Sequence, residues 1–213
     1  MPGSLLPVMN ACLRPLRFPG LAAGLALLLA SGCQIVPEPK ADPTRFYVLT
    51  GPAGGAAGAA GGPVVQVRAI EVADYLKGRP LVVRRGGTEI EFREFARWGE
   101  PLEAGIGRVL REELLARGAA GAVLLPGVRR ESGRARFELG LRVLAAEGGA
   151  DGAVRFRVIW ELMATGSQAL VARGDFQPDD LRWDGKAEGS LAAGLSAAVA
   201  GLAGEVAAAL PKG

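Results

Sequence analysis

Two stretches of strict alternation constrain this chain more than any other feature. In RARFELGLRVL, the apolar set Ala135, Phe137, Leu139, Leu141 and Val143 alternates with Arg134, Arg136, Glu138, Gly140 and Arg142. In VRFRVIWEL, Val154, Phe156, Val158, Trp160 and Leu162 alternate with Arg155, Arg157, Ile159 and Glu161. A period of two sends successive side chains to opposite faces, so each stretch is a strand with one apolar face. Strands of this kind belong to a sheet covered on one side. Gly148, Gly149 and Asp151-Gly152 supply the turn, and Gln168 to Phe176 reads as a third, weaker strand of the same meander. The outward positions carry Arg134, Arg136, Arg142, Arg155 and Arg157. A solvated face is the plain reading of these arginines; a site for lipid headgroups or an acidic partner is the sharper one.

Something must cover the apolar face, and two segments have the helical period to do so. Leu102, Ile106, Val109, Leu110 and Leu114 recur at helical spacing, with Pro101 suited to the first turn and Gly118 to the stop. The last segment, SLAAGLSAAVAGLAGEVAAAL, holds a single charge, Glu205, over a membrane-spanning length. Its Leu191, Leu195, Val199, Leu202, Val206 and Leu210 nevertheless lie on one stripe. That stripe predicts a helix packed on the sheet and stopped by Pro211 rather than a second membrane anchor. Gly194, Gly201 and Gly204 allow close backbone approach at a cost in helix propensity.

The remaining elements are strands. Arg45 to Thr50 and Val64 to Ile70 are strand-like, and Ala122 to Leu125 is a short apolar strand closed by Pro126. Leu81 to Arg85 and Thr88 to Phe92 flank Gly86-Gly87, a hairpin signal, because glycine accepts the positive φ of a primed turn. The expected fold is a single α/β (α+β) domain: a mainly antiparallel mixed sheet with two main helices packed on it.

The N-terminus sets the compartment. Arg14 and Arg17 precede an apolar run, Phe18 to Leu29, which ends in Ala30, Ser31 and Gly32 before Cys33. Positive start, apolar centre and small-residue end are the parts of a secretory signal. The run is shorter than the roughly 20 residues of a transmembrane helix. The Leu-Ala-Ser-Gly-Cys ending resembles a bacterial lipobox, with alanine in place of the usual leucine three residues before the cysteine; there cleavage precedes the cysteine and the cysteine is acylated, while an ordinary cleaved signal with an incidental Cys33, or a signal anchor, is the plainer reading. Cys12 leaves with the leader, so Cys33 stands alone and no intramolecular disulfide can form. Gln34 rather than aspartate follows it, a pattern of sorting to the outer membrane. The start codon is Met1 or Met9. The expected organisation is a signal peptide over 1–32, a lipidated N-terminus and tether over 33–44, one domain over 45–210 and a tail over 211–213. Within the domain, GPAGGAAGAAGGP at 51–63 reads as a flexible Gly/Ala-rich loop.

Composition removes several functions. Lys and Arg total 25 against 22 Asp and Glu, and two of the arginines go with the leader. A nearly neutral mature chain gives no argument for nucleic acid. There is no histidine, the commonest general base and metal ligand. No phosphate-cradling loop, Gly-x-Ser-x-Gly elbow or carboxylate cluster at metal spacing is present. Gly105-Ile-Gly107 lacks the third glycine of a dinucleotide fingerprint, and Glu112-Glu113 do not face each other on a helix. The expectation is a non-enzyme with no catalytic residues, metal or cofactor.

Several motifs resemble a known family. RFYVLT soon after the lipobox is similar to the Tyr-x-Leu opening of the auxiliary lipoproteins of ABC-type transport systems, the PqiC-like family. VVQVRAIEVADYLKGRPLVVRR resembles that family's strand, Tyr-Leu turn and following strand, and Arg97-Trp98-Gly99-Glu100-Pro101-Leu102 its Arg-Trp-Ala-Glu-Pro-Leu helix start. The departures are Val72-Ala73 for Leu-Pro before the turn, Lys77-Gly78-Arg79 for Asp-Arg after it, and the glycine-rich loop. The resemblance implies an outer-membrane lipoprotein facing the periplasm, anchored by acyl chains on Cys33. It implies a non-catalytic part in an intermembrane lipid transport system, beside an MCE-domain protein and, in some members of the family, an inner-membrane ABC permease. A ring-forming homo-oligomer is compatible with it. Tyr75, Leu76 and Trp98 are the candidate partner contacts, since aromatic residues anchor interfaces; core or cap packing is the plainer reading of all three. The rival function is a lipoprotein regulator of a cell-wall synthase.

Overall fold

The computed structural model describes residues 40–54, 58–128 and 136–211. Cys33, the leader, most of the tether, the middle of the Gly/Ala-rich loop and Arg134 lie outside the described residues.

The longest strand is the spine of the sheet. We number the strands β1 to β9 and the two main helices α1 and α2 in chain order. Strand β7 (Arg136–Gly149) pairs antiparallel with β8 (Val154–Ala164), which pairs antiparallel with β9 (Leu170–Phe176). This is the meander expected from the alternation. Leu139, Leu141 and Val143 face Leu162, Trp160 and Val158 across the ladder. The register then shifts between Val143 and Ala145, so that Ala146 faces Phe156 and Gly148 faces Val154. One extra residue in a strand reverses the faces of all that follow. Ala146 and Gly148 therefore continue the core face, and Glu147, in register with Arg155, goes to the opposite face.

The other edge of β7 is filled in pieces, all parallel to it: β2 (Val64–Val67), β3 (Glu71–Val72) and β4 (Pro80–Arg84). A 3-10 turn at Asp74–Leu76 separates the last two. Strand β4 turns into the antiparallel β5 (Ile90–Trp98) around Gly86-Gly87, where the glycine pair predicts a hairpin, but neither glycine takes the positive φ of a primed turn; the turn is closed by the Arg85 N–H donating to the Glu89 carbonyl at 3.0 Å. Beyond this hairpin lies β1 (Arg45–Tyr47), parallel to β5, while β6 (Ala122–Leu124) lies parallel to β2. The sheet is mixed, its long ladders antiparallel and its short ones parallel.

Helices α1 (Leu102–Ala116) and α2 (Glu188–Ala209) pack on each other; α2 also packs on β7, β8 and β9, and α1 on β6. The apolar stripes anticipated on both helices are buried, together with Val158, Trp160 and Leu162 of β8. Helix α2 is long and apolar enough to cross a membrane by composition, yet its leucine stripe lies inside the domain. A Cβ on Gly194 would stand 2.6 Å from a methyl of Val154, so glycine lets the helix lie close to the sheet. Glu205, exposed in the second half of the helix, accepts a hydrogen bond from Trp160 Nε1 at 2.9 Å.

The start of α1 is fastened to β1. The Gly99 N–H donates to the Tyr47 carbonyl at 2.8 Å. Arg108 Nη2 donates to Glu100 Oε1 at 2.6 Å and to the Leu49 carbonyl at 2.7 Å. Pro101 occupies the cap position and Leu102 is the first buried residue of the helix. The Arg-Trp-Gly-Glu-Pro-Leu run is thus a clasp between helix and border strand.

Candidate functional site

The reversal at Leu144 creates the most unusual group in the domain. Glu147 stands on the sheet face that carries no helix, yet its side chain is only 1% exposed. A buried carboxylate requires a partner. Arg84, from the neighbouring β4, supplies it with a two-pronged contact in which Nε meets Oε1 and Nη2 donates to Oε2 at 3.2 Å. The fork of a guanidinium matches the two oxygens of a carboxylate. The hydrogen bond to Glu147 raises the Arg84 pKa above its ordinary value.

Tyr75, in the 3-10 turn, closes over this pair. Its hydroxyl donates to the Leu144 carbonyl at 3.3 Å, the carbonyl of the residue where the register shifts. Burial, then the Glu147 charge, pushes the phenol up to about 12. Tyr75 is therefore a neutral donor throughout the physiological range. Its ring lines an open cleft of about 450 Å³, with Arg84, Glu147, Arg155, Arg157 and Asp179 among its walls.

The arginines of the open face are less available than their number suggests. Arg157 is bound to Asp175 at 2.6 Å, Arg155 to Asp151 at 3.1 Å and Arg142 to Glu71 at 2.9 Å. These three of the arginines read from single strands as a basic face are paired, because their carboxylates come from adjoining strands and turns. Among the described residues no group of three or more His, Cys, Asp or Glu could hold a metal ion. The arrangement suits recognition by shape and hydrogen bonding, around a rigid and internally satisfied charge pair.

Of the residues singled out from sequence, only Tyr75 offers surface here. Leu76 is 3% exposed and Trp98 4% exposed, both within the hydrophobic core. Any share they have in a partner contact is indirect, through the placing of Tyr75 and of the β1–α1 clasp. Arg84 and Glu147 do not stand out in the sequence. The one available signal is a carboxylate inside the small-residue run Ala145-Ala146-Glu147-Gly148-Gly149. Gly148 in that run admits Trp183, whose Nε1 donates to the Gly149 carbonyl at 2.9 Å.

The family model of the ABC-type transport auxiliary lipoprotein component matches residues 47–207, nearly the whole domain. The chain belongs to this family. Among solved structures, the crystal structure of an uncharacterized protein is similar with a TM-score of 0.63 at 19% identity, covering 78% of this chain and 97% of that one. The crystal structure of a Xanthomonas campestris protein is similar with a TM-score of 0.58 at 16% identity, covering 76% of this chain and 92% of that one. At such identities the likeness is one of fold. No curated protein matches the chain. The cleft under Tyr75 is thus a feature of an auxiliary transport lipoprotein, built on the Tyr-Leu turn that resembles the family's own.

Proposed function

We propose that this lipoprotein is a non-catalytic adaptor of an MCE/ABC-type system that moves lipids between the two membranes. Cleavage after Gly32 and acylation of Cys33 hold it to the outer membrane, with the domain in the periplasm. An MCE-domain protein, working with an inner-membrane ABC permease, is the partner, and the cleft under Tyr75 is where it docks. The observation that carries this reading is the family match along 47–207, joined to the lipobox ending at Cys33. The Tyr75–Arg84–Glu147 cluster supports the docking role, since a buried ion pair holds one shape at the cleft floor.

A photo-crosslinking residue at position 75, in living cells, tests the proposal. Capture of an MCE-domain protein, lost when the residue is moved to the far border at Val171, is the expected result. Capture of a transpeptidase or glycosyltransferase would overturn it in favour of a cell-wall synthase regulator.

A further inference from the structure

The border of the sheet at β1 and β5 carries an apolar surface that the domain leaves uncovered. Phe46 is 63% exposed and Phe95 51% exposed, and Val48 and Phe92 are exposed beside them in the chain. Two features of the backbone put them there. Strand β1 is three residues long and pairs on one side only, with Phe46 in register with Arg97. Strand β5 is irregular: Pro80 faces Arg97, but the next residue, Leu81, faces Arg93. The intervening Glu94, Phe95 and Ala96 bulge from the ladder, and Phe95 is turned outward. A border strand with exposed phenylalanines invites association unless something covers it.

The position of this border in the chain says what covers it. Strand β1 is the first element after the tether, and Cys33 lies twelve residues before Arg45. A fully extended chain spans about 3.3–3.6 Å per residue, so β1 stays within about 40 Å of the acylated residue. Tethering turns a second contact into an intramolecular one, for which a small apolar patch suffices. Aromatic side chains suit the boundary between headgroups and acyl chains. Arg45 and Arg79 are exposed at the same border, and the Arg79 carbonyl accepts from the Trp98 N–H at the end of β5. Arg97 spends its Nε on the Glu94 carbonyl rather than on a carboxylate. Guanidinium groups beside the aromatic patch meet phospholipid headgroups.

We infer that Phe46, Val48, Phe92 and Phe95 rest on the phospholipid surface of the membrane that holds the acyl anchor. The domain is then seated on the bilayer at two points, lipid and aromatic border, and presents a fixed side to the periplasm. This inference rests on the lipoprotein reading of Cys33, and the two are separable by experiment. The acylated protein is purified from membranes and reconstituted in vesicles of phosphatidylethanolamine and phosphatidylglycerol. With Cys33 acylated and Cys12 removed, an introduced cysteine is the only free thiol. Phe46→Cys, Phe95→Cys and, at the opposite border, Val171→Cys each carry an environment-sensitive fluorophore. Circular dichroism checks that each variant is folded. Blue-shifted emission and quenching by brominated lipid at positions 46 and 95, with neither at 171, is the expected result. Aqueous emission at all three positions overturns the inference. A blue shift that brominated lipid does not quench also overturns it, since a second copy or another protein then covers the border. Mass spectrometry of the Cys33 peptide tests the anchor itself, and an unmodified thiol there sinks the lipoprotein reading instead.

Discussion

Breaking the Arg84–Glu147 pair is the most direct test of the site's architecture. Removing one partner of a buried ion pair costs about 3–5 kcal/mol, because the other charge stays buried and unpaired. Glu147 is 1% exposed, so Arg84→Met leaves its carboxylate with little access to water. Arg84 itself is 21% exposed, so water already reaches one side of the pair and brings the loss below that range, to about 2–3 kcal/mol. In a domain of this length each kcal/mol moves the melting temperature by about 2–4 °C, giving a fall of about 5–10 °C. Glu147→Gln keeps an acceptor for Arg84 and frees the guanidinium to turn to water, so about 1 kcal/mol is expected. The double variant Arg84→Met with Glu147→Leu removes both charges and should return to within about 1 kcal/mol of the parent. Urea unfolding followed by circular dichroism measures all three. A loss below about 1 kcal/mol for Arg84→Met would refute the reasoning. So would a double variant less stable than Arg84→Met alone, since a desolvated and mutually dependent pair forbids that order.

Three further expectations concern the same framework. Trp98→Ala, at a position inside the core, should lose about 3–5 kcal/mol and lower the melting temperature sharply in a thermal scan. Tyr75 should ionise with a midpoint near 12 in an absorbance titration of the Tyr47→Phe variant, against 10.0 for an unperturbed phenol. The unfolded chain ionises first in that window, so the share of stability from Tyr75 is whole below pH 10 and falls as pH rises through the folded value. Gly194→Ala drives a Cβ to 2.6 Å from Val154 and should destabilise in chemical unfolding, despite alanine's better helix propensity. Gly189→Ala, whose Cβ meets Tyr47 at an ordinary 3.7 Å, should leave stability unchanged or raise it.

Much of the fold is legible in the order of residues alone, and the reason is locality. The β7–β8–β9 meander follows from alternation between neighbours, the β4–β5 hairpin from Gly86-Gly87, and both helices from stripes at helical spacing. The parallel pieces are not legible. Val64 to Ile70 reads as one strand, but only Val64–Val67 pairs as β2, and the two-residue β3 leaves no periodic trace. Parallel partners are far apart in sequence and need no turn between them.

The site is legible only in outline. The Tyr-Leu turn and the Arg-Trp-Gly-Glu-Pro-Leu run stand out as motifs, but their roles come from distant residues. Tyr75 is placed by the Leu144 carbonyl, and Glu100 by Arg108, which also binds the Leu49 carbonyl. The arginines of β7 and β8 look like a basic face because Asp175, Asp151 and Glu71 lie outside the alternating runs.

By itself the sequence determined the covered sheet and the two helices that cover it, since each is written in the order of adjacent residues. Tertiary structure alone decided that Glu147 is buried against Arg84 and that Phe46 and Phe95 are left outside. Desolvation of a carboxylate and exposure of a phenylalanine depend on which other segments arrive beside them. One shifted residue at Leu144 and one bulge in β5 settle those arrivals, and their local traces, the adjacent apolar Val143-Leu144 and the adjacent polar Arg93-Glu94, do not say which segment will lie beside them.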